Sequence, residues 1–332
     1  MDYQQLELFI PNKVDLSPYH FGIPQQSGAL TVVPIFSPDC PGQFTSPLSG
    51  LKLSRVHGYG NVELHNPSTG VAIVPLHMGY IQDQAQNHAL CRSAFIAAGQ
   101  KLMFKDACCV QSGQGGYLEG REQWFFILPL QLRFQALKLR GQEDYSKLWK
   151  EIERLNQRFD LPQRGHLEQI LSKKRTFLTQ YQSRFELLPQ QTGALFLIRN
   201  QLVGVEIAPT AAYFREVWMP LVCFCYGVAA MYTQKHVKAS DKPVLPFAAS
   251  NLQELRQQLH KSRQEKQLQV SNWLSQTPAE RFQLKEEERF LSLRLHTCKG
   301  KNFAGQLVEE SGQLVYASLF ALAIESSQRL TE

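Results

Sequence analysis

The sequence predicts an α+β protein, mostly antiparallel sheet with an inserted set of amphipathic helices and an N-terminal arm. Three observations carry this. Apolar, β-branched runs recur between Val56 and Leu139, the hydrophobic period changes to a helical one from Tyr145, and strand-like runs return after Phe290.

Taken in order, residues 1–55 are rich in Pro, Ser and Gly and hold one strand-like run, Ala29 to Phe36; the segment reads as an arm packed on the domain. Residues 56–324 then read as a single α+β domain, and 325–332 as a tail. The β-rich part, 56–140, has strand signals over Gly70 to Leu76, Ala94 to Ala98, Leu102 to Val110 and Glu122 to Leu139. Pro129 makes the last run an edge strand, a bulge or a break into two strands.

The helices at 143–188 follow from spacing. Tyr145, Leu148, Trp149, Ile152, Leu155 and Phe159 share one face, and Leu167, Ile170, Leu171, Leu178, Tyr181 and Phe185 share another, with a turn at Asp160–Gly165 between. A hairpin at 193–208 turns near Arg199, Asn200 and Gln201, and Thr210 caps a third helix running toward Tyr232. The apolar window of that helix, Val217 to Met231, is too short to span a bilayer and is expected to be buried, so no membrane is expected as a partner. Ser250 and Gln253 suggest a capping box for a charged helix ending near residue 275. The closing strands, 288–324, include Phe290 to His296 and a hairpin of Ala304–Val308 with Gln313–Leu322, expected to rejoin an earlier sheet.

The hydrophobic fraction of 43% and charged fraction of 19% are those of a globular chain able to build a large core. The net charge of +6 is spread among acidic residues, which permits an anionic ligand or a nucleic acid without indicating either. Seven scattered cysteines without a dense framework, and a beginning with no basic and apolar leader pattern, give the expectation of a reducing cytoplasm. Oligomeric state and cofactor are not encoded in any recognisable pattern, and no CxxC or HExxH spacing suggests a metal.

Two polar clusters stand out. Gln86, Asn87 and His88 offer directed hydrogen bonds without fixed charge, suited to a ribose, a base edge or a carbonyl, and equally able to bond their own backbone. Cys109, Gln111, Gln114 and Gly115 lie in Cys108–Gly116, where glycines expose backbone N–H groups to an anion or form a tight turn. Cys109 is a candidate nucleophile on the condition that a base such as His88 reaches it and its pKa is lowered; otherwise it is an inert thiol. Gly165–Glu168 opens a helix whose N-terminus favours anions or is simply capped. Glu206, in the apolar run Val203–Ala208, needs a partner if it faces inward.

These residues form an ordered series: Gln86-Asn87-His88, Cys109-Val110-Gln111 with following glycines, Gly193-Ala194, Gly204-Val205-Glu206, Phe303-Ala304-Gly305-Gln306-Leu307 and Leu314-Val315-Tyr316-Ala317-Ser318-Leu319-Phe320. The series resembles a prokaryotic domain family named for association with ADP-ribosylglycohydrolase and rhodanese-phosphatase proteins, from about residue 56 to residue 322. His88 stands where the family pattern has Arg, and Gln114-Gly115-Gly116 replaces a Gly-Arg-Trp-like ending. The resemblance implies an α+β cytoplasmic domain linked to nucleotide or ADP-ribose metabolism or to defence, and it assigns no catalytic residues.

Two functional expectations follow. The first is a small-molecule pocket for a nucleotide-like or ADP-ribose-like ligand, lined by Gln86, Asn87, His88, Cys109, Gln111, Gln114, Gly115 and Glu206, with His88, Cys109 and Glu206 as candidate catalytic groups. The second is a regulatory or interaction module that contacts a protein or nucleic acid through its basic helices, with Lys173-Lys174-Arg175 as anchor and the charged helix after Ser250 as a further surface.

Overall fold

The computed structural model describes residues 6–11, 14–82, 86–112, 123–162, 165–235, 248–277 and 279–323. Strands β1 (His20–Phe21), β2 (Gln25–Ser27), β3 (Leu30–Phe36), β4 (Phe44–Thr45) and β5 (Lys52–His57) come first. Next are β6 (Asn61–His65), β7 (Val71–Ile73), β8 (Met78–Gln82), β9 (His88–Ala89), β10 (Phe95–Ile96), β11 (Lys101–Phe104), β12 (Cys108–Cys109) and β13 (Gln123–Ile127). Helices α1 (Leu130–Lys138), α2 (Trp149–Arg158), α3 (Glu168–Lys173) and α4 (Arg175–Arg184) lead to the hairpin β14 (Gln191–Ile198) and β15 (Gln201–Ile207). Helix α5 (Ala211–Met219), a π-helical segment (Pro220–Tyr226), α6 (Gly227–Lys235) and α7 (Leu252–Ser275) precede β16 (Gln283–Phe290), β17 (Leu293–Lys299), β18 (Phe303–Glu310) and β19 (Gln313–Ala321).

The main sheet is antiparallel, in the order β1-β3-β14-β15-β19-β18-β17-β16, with β2 also paired to β3. The closing strands thus rejoin the earlier hairpin through β15 and β19, as their pattern predicts. Three small sheets, β10-β7-β4, β11-β6-β5 and β12-β9-β8-β13, are built from the chain between residues 44 and 127. Strands β14 and β19 are buried almost throughout, which explains why they read as continuous apolar runs with no polar alternation. Leu30–Phe36 is integral to the sheet, lying between β1 and β14.

Several elements differ from the sequence reading, each for a local reason. The expected strand Glu122 to Leu139 is a strand only to Ile127; Pro129 then serves as the N-cap of α1, whose buried residues are Leu130, Leu132, Arg133, Ala136 and Leu137. The strand expected over Leu102 to Val110 is two strands, and the helix expected from Leu167 to Phe185 is broken at Lys174 into α3 and α4. The capping box lies one residue later than expected: the Asn251 side chain accepts from Glu254 N, and Ser250 N donates to Glu254 Oε2. Strand β16 gives no apolar signal because its run Lys285–Arg289 is charged and, apart from the half-buried Glu288, exposed, as suits the bulged edge of a sheet.

Other local signals hold. The β14–β15 hairpin turns through Arg199 and Asn200, both at positive φ, as a tight two-residue turn requires. The Thr210 side chain accepts from Tyr213 N and caps α5.

The chain is helical over Ala211–Gln234, long and apolar enough to cross a membrane, but 83% of its apolar window is buried inside the protein. It is a core helix. Its middle widens into a π-helix because Pro220 has no N–H for the usual ladder, and Gly227 leaves room for Val222 O, which a Cβ there would meet at 2.5 Å. The widened turn directs Cys225 and Tyr226 into the core, where the Tyr226 ring stacks on Phe196 at 4.0 Å.

Gly204, opposite Phe196 in the ladder, makes that stacking possible: a Cβ would lie 2.0 Å from the Tyr226 hydroxyl oxygen. Gly204→Ala is therefore expected to destabilise the fold by about 1–3 kcal/mol or more, read as a lower urea midpoint at unchanged m-value. An unchanged midpoint would refute the close packing.

Candidate functional site

The two polar clusters of the sequence meet through the β9–β12 ladder, in which Cys109 is the register partner of His88. Asn87 N donates to Gln111 Oε1 at 3.3 Å, and Val110 N donates to Asn87 O at 2.9 Å. Gln86, Asn87, His88, Cys109 and Gln111 are thereby gathered at one end of a small sheet. Gln114 and Gly115 lie outside the described residues. Glu206 belongs to a different assembly, described below.

The gathered groups are largely engaged with one another. The His88 ring has Nδ1 at 2.9 Å from Gln86 O and Nε2 at 3.0 Å from Tyr59 O. Burial holds its pKa below the ordinary histidine range, while the two carbonyls pull the other way. The Cys109 thiol points to Gln111 O at 3.1 Å and to Gln86 Oε1 at 3.7 Å, and burial pushes its pKa up. Each His88 ring nitrogen thus faces a backbone carbonyl, and the Cys109 sulfur faces Gln111 O and Gln86 Oε1.

Aromatic residues border this cluster and share its hydrogen bonds, the tyrosines through their backbone carbonyls. Cys109 N donates to Tyr145 O at 2.9 Å, and Trp149 Nε1 donates to Cys109 O at 3.0 Å. Tyr59 and Tyr145 have ring centroids 5.2 Å apart, and Tyr145 meets Trp149 at 5.6 Å. Tyr59 is 53% exposed and Tyr145 37%, so an aromatic surface faces solvent directly over a buried polar frame.

A second shoulder comes from the start of α3. Gln111 bridges to His166, Ser112 N donates to Gly165 O at 2.9 Å, and His166 Nε2 donates to Ser112 O. Gly165 is dictated by contact, since a Cβ would meet Ser112 Cβ at 2.9 Å and the Trp149 side chain at 3.0 Å. His166 Nδ1 is 3.6 Å from Glu168 Oε1. Glu168 is buried, its Oε2 has no hydrogen-bond partner among the described residues, and burial raises its pKa to about 7. Helix α3 has only six residues, so the anion site expected at its N-terminus has little dipole behind it. Lys173 is exposed and Lys174 and Arg175 half-buried around the α3–α4 break, so the expected basic anchor is not one continuous face.

Glu206 faces Arg133, the residue that sequence reasoning missed. The Arg133 guanidinium, wholly buried, donates from Nη1 to Glu206 Oε1 at 2.6 Å and to the Tyr226 hydroxyl at 3.2 Å. Its Nη2 donates to Ser318 Oγ at 2.5 Å and its Nε to His77 Nδ1 at 3.2 Å, while its plane lies 4.5 Å from the Phe320 ring centroid. Tyr226 donates to the same Glu206 oxygen at 2.6 Å. Burial opposes the charge on Arg133, but the combined attraction of Glu206, Cys225 and Tyr226 outweighs it and holds the guanidinium protonated beyond its ordinary range. Burial and the nearby Arg133 cation keep His77 neutral, which leaves its Nδ1 free to accept.

Register explains why these partners converge. Glu206 is opposite Ser318, Ser318 opposite Gln306, and Gln306 opposite Thr297, so four polar side chains cross the sheet in one row. Gln306 donates to Thr297 Oγ1 at 2.9 Å and accepts from Ser93 N at 2.7 Å, which ties the small-sheet segment to the main sheet. The cavity beside Glu206, lined also by Pro75, Tyr213 and Tyr316, measures about 10 Å³, room for one water and no more. A groove of about 330 Å³ lies between Phe44, Val71 and the β16–β17 hairpin, and none of the sequence-predicted site residues lines it. Among the described residues no group of three or more His, Cys, Asp or Glu side chains is arranged to hold a metal ion.

The architecture defines an α+β protein whose antiparallel sheet, nine-stranded among the described residues, is joined to α1 through a buried arginine centre. The chain belongs to the family of the ARG and Rhodanese-Phosphatase-superfamily-associated Protein domain, whose sequence profile matches residues 18–320. No curated protein and no solved structure matches it.

Two predictions follow from these geometries. Arg133→Met leaves Glu206 as an uncompensated buried charge and is expected to cost about 3–5 kcal/mol, part of which Glu206→Gln restores in the double variant. Additive losses in a denaturation cycle would disprove the coupling. For Glu168, the folded pKa of about 7 lies above the free value of 4.5, so its contribution to stability is complete below about pH 4.5 and is lost as pH rises through 7. Denaturant titrations across that window should show Glu168→Gln with a flatter pH dependence than the parent; parallel curves would contradict a buried, raised carboxyl.

Proposed function

We propose that this protein binds a small nucleotide-like or ADP-ribose-like ligand at the aromatic surface of Tyr59 and Tyr145, with Gln86 at its edge and the Asn87, His88, Cys109 and Gln111 frame beneath. The observation that carries this reading is the pairing of exposed rings with a buried, internally bonded polar support. Exposed aromatic faces offer a stacking partner to any base, and a rigid frame lowers the entropy lost on binding. The ADP-ribosylglycohydrolase association in the family's name supports the ligand class, and the reading includes a prokaryotic, cytoplasmic setting. The engagement of the Cys109 thiol with Gln111 O and Gln86 Oε1 favours binding over covalent chemistry there.

A second reading, an interaction module, is favoured by α7. Of its 24 residues only Val270 and Leu274 are buried, while Leu252 and Leu268 are 74% and 65% exposed. A protein partner would cover that helix and leave the Tyr59 surface free.

The test is a thermal-shift series with ADP-ribose, NAD and adenine nucleotides on the parent protein and on Tyr59→Ala and Tyr145→Ala. A ligand at a hundred times its Kd adds about 2.7 kcal/mol of stability, and losing one stacking ring weakens affinity by about 1–3 kcal/mol, roughly 5- to 150-fold. A shift that both substitutions reduce supports the proposal. Absence of any shift in a cooperatively melting protein would transfer the case to α7 and a partner protein.

A further inference from the structure

Cys91 and Cys108 have their sulfur atoms 2.8 Å apart, although both are free thiols. That separation is well inside the usual reach of a thiol hydrogen bond and about 0.8 Å longer than a disulfide bond. Both side chains are fully buried, and they lie 17 residues apart in sequence. Cys108 stands in β12 opposite Ala89 of β9, and Cys91 follows two residues after Ala89, which makes the pair a diagonal cross-strand contact.

We infer that Cys91 and Cys108 are a modification site, a dithiol that closes to an intramolecular disulfide when it meets a low-molecular-weight disulfide of the glutathione class. In the exchange, one thiolate attacks a sulfur of the reagent and releases one reduced thiol. The second thiolate then displaces the other. Two protein S–H bonds and the reagent S–S bond break, one protein S–S bond and two reagent S–H bonds form, and the two electrons pass to the reagent.

Access comes from the ladder itself. β12 is two residues long and lies at the edge of its sheet, paired with β9, so the inferred route to the thiols is local opening of that ladder rather than of the main sheet. Burial raises the Cys108 pKa well above the ordinary thiol range, so exchange in the closed state is slow and proceeds through the opened one. The neighbouring Cys109 follows Cys108 on the extended strand, turned to the opposite side, with its sulfur directed to Gln111 O. It does not compete for Cys91.

The test is made on the ligand-free protein, so its outcome does not depend on the proposed binding at the aromatic surface. The full chain is equilibrated in a series of glutathione redox buffers and alkylated under denaturing conditions, and its peptides are mapped by mass spectrometry. The expected result is a peptide pair joined through Cys91 and Cys108, two hydrogens lighter than the dithiol, that returns to two alkylated thiols on reduction. A rise of a few degrees in Tm should accompany the oxidised form. Alkylation of both thiols at every potential that oxidises the half-buried Cys40, or a link from Cys91 to Cys109, would overturn the assignment. The map on the unsubstituted protein decides the question even if Cys91→Ala or Cys108→Ala fails to fold; where they fold, the linked peptide should be missing.

Discussion

One buried cation organises this protein. The Arg133 guanidinium has no contact with solvent, so each of its N–H groups must find an acceptor within the chain, and the acceptors come from segments far apart in sequence. His77 precedes β8, Glu206 lies in β15, Tyr226 in the π-helical segment and Ser318 in β19. Helix α1, the main sheet and the core helix can each satisfy the arginine only when all are in place, which makes their docking mutually dependent. The π-helix, the stacking of Tyr226 on Phe196 and the lack of a side chain at Gly204 are the steric conditions for that convergence.

The strands with a single unambiguous signal were legible in the sequence. Leu30–Phe36, the β14–β15 hairpin and the β18–β19 hairpin show apolar runs bounded by turn residues, and Thr210 announces its helix by its cap. Glu206 was conspicuous because a carboxyl in an apolar strand requires a counter-charge. Its partner stayed hidden for a related reason: Leu128–Leu139 carries both a partial alternation and a helical spacing, and reading it with period two sends Arg133 to a surface. With Pro129 taken as a helix start, Leu130, Arg133 and Leu137 fall on one face, and a cation on an apolar helix face is the signal that was available. The neighbourhood of Gln86–His88 and Cys109–Gln111 was readable as two polar clusters, whereas their bonding to one another depends on a two-residue ladder that no periodicity encodes.

The candidate site differs in kind from the arginine centre. In the core, polar groups bond to one another beside a space of about 10 Å³. At the end of the β12-β9-β8-β13 sheet, the polar groups also bond to one another and to backbone carbonyls, but they do so beneath rings that remain open to solvent. Amides and imidazole there act as scaffold, fixing the backbone of Tyr59 and Tyr145, and the chemistry offered outward is flat, apolar and sequence-tolerant.

The charged edge strand β16 bears on how the molecule behaves among copies of itself. A nine-stranded antiparallel sheet ending in a long, flat, apolar edge would template the addition of a further strand from a neighbour and continue into a fibre. Lys285 and Arg289 flanking the three carboxylates Glu286, Glu287 and Glu288, with a bulge between Glu286 and Glu288, set a run of charges and a broken hydrogen-bond rhythm along that border. An incoming strand would have to match both, which disfavours extension of the sheet past this edge.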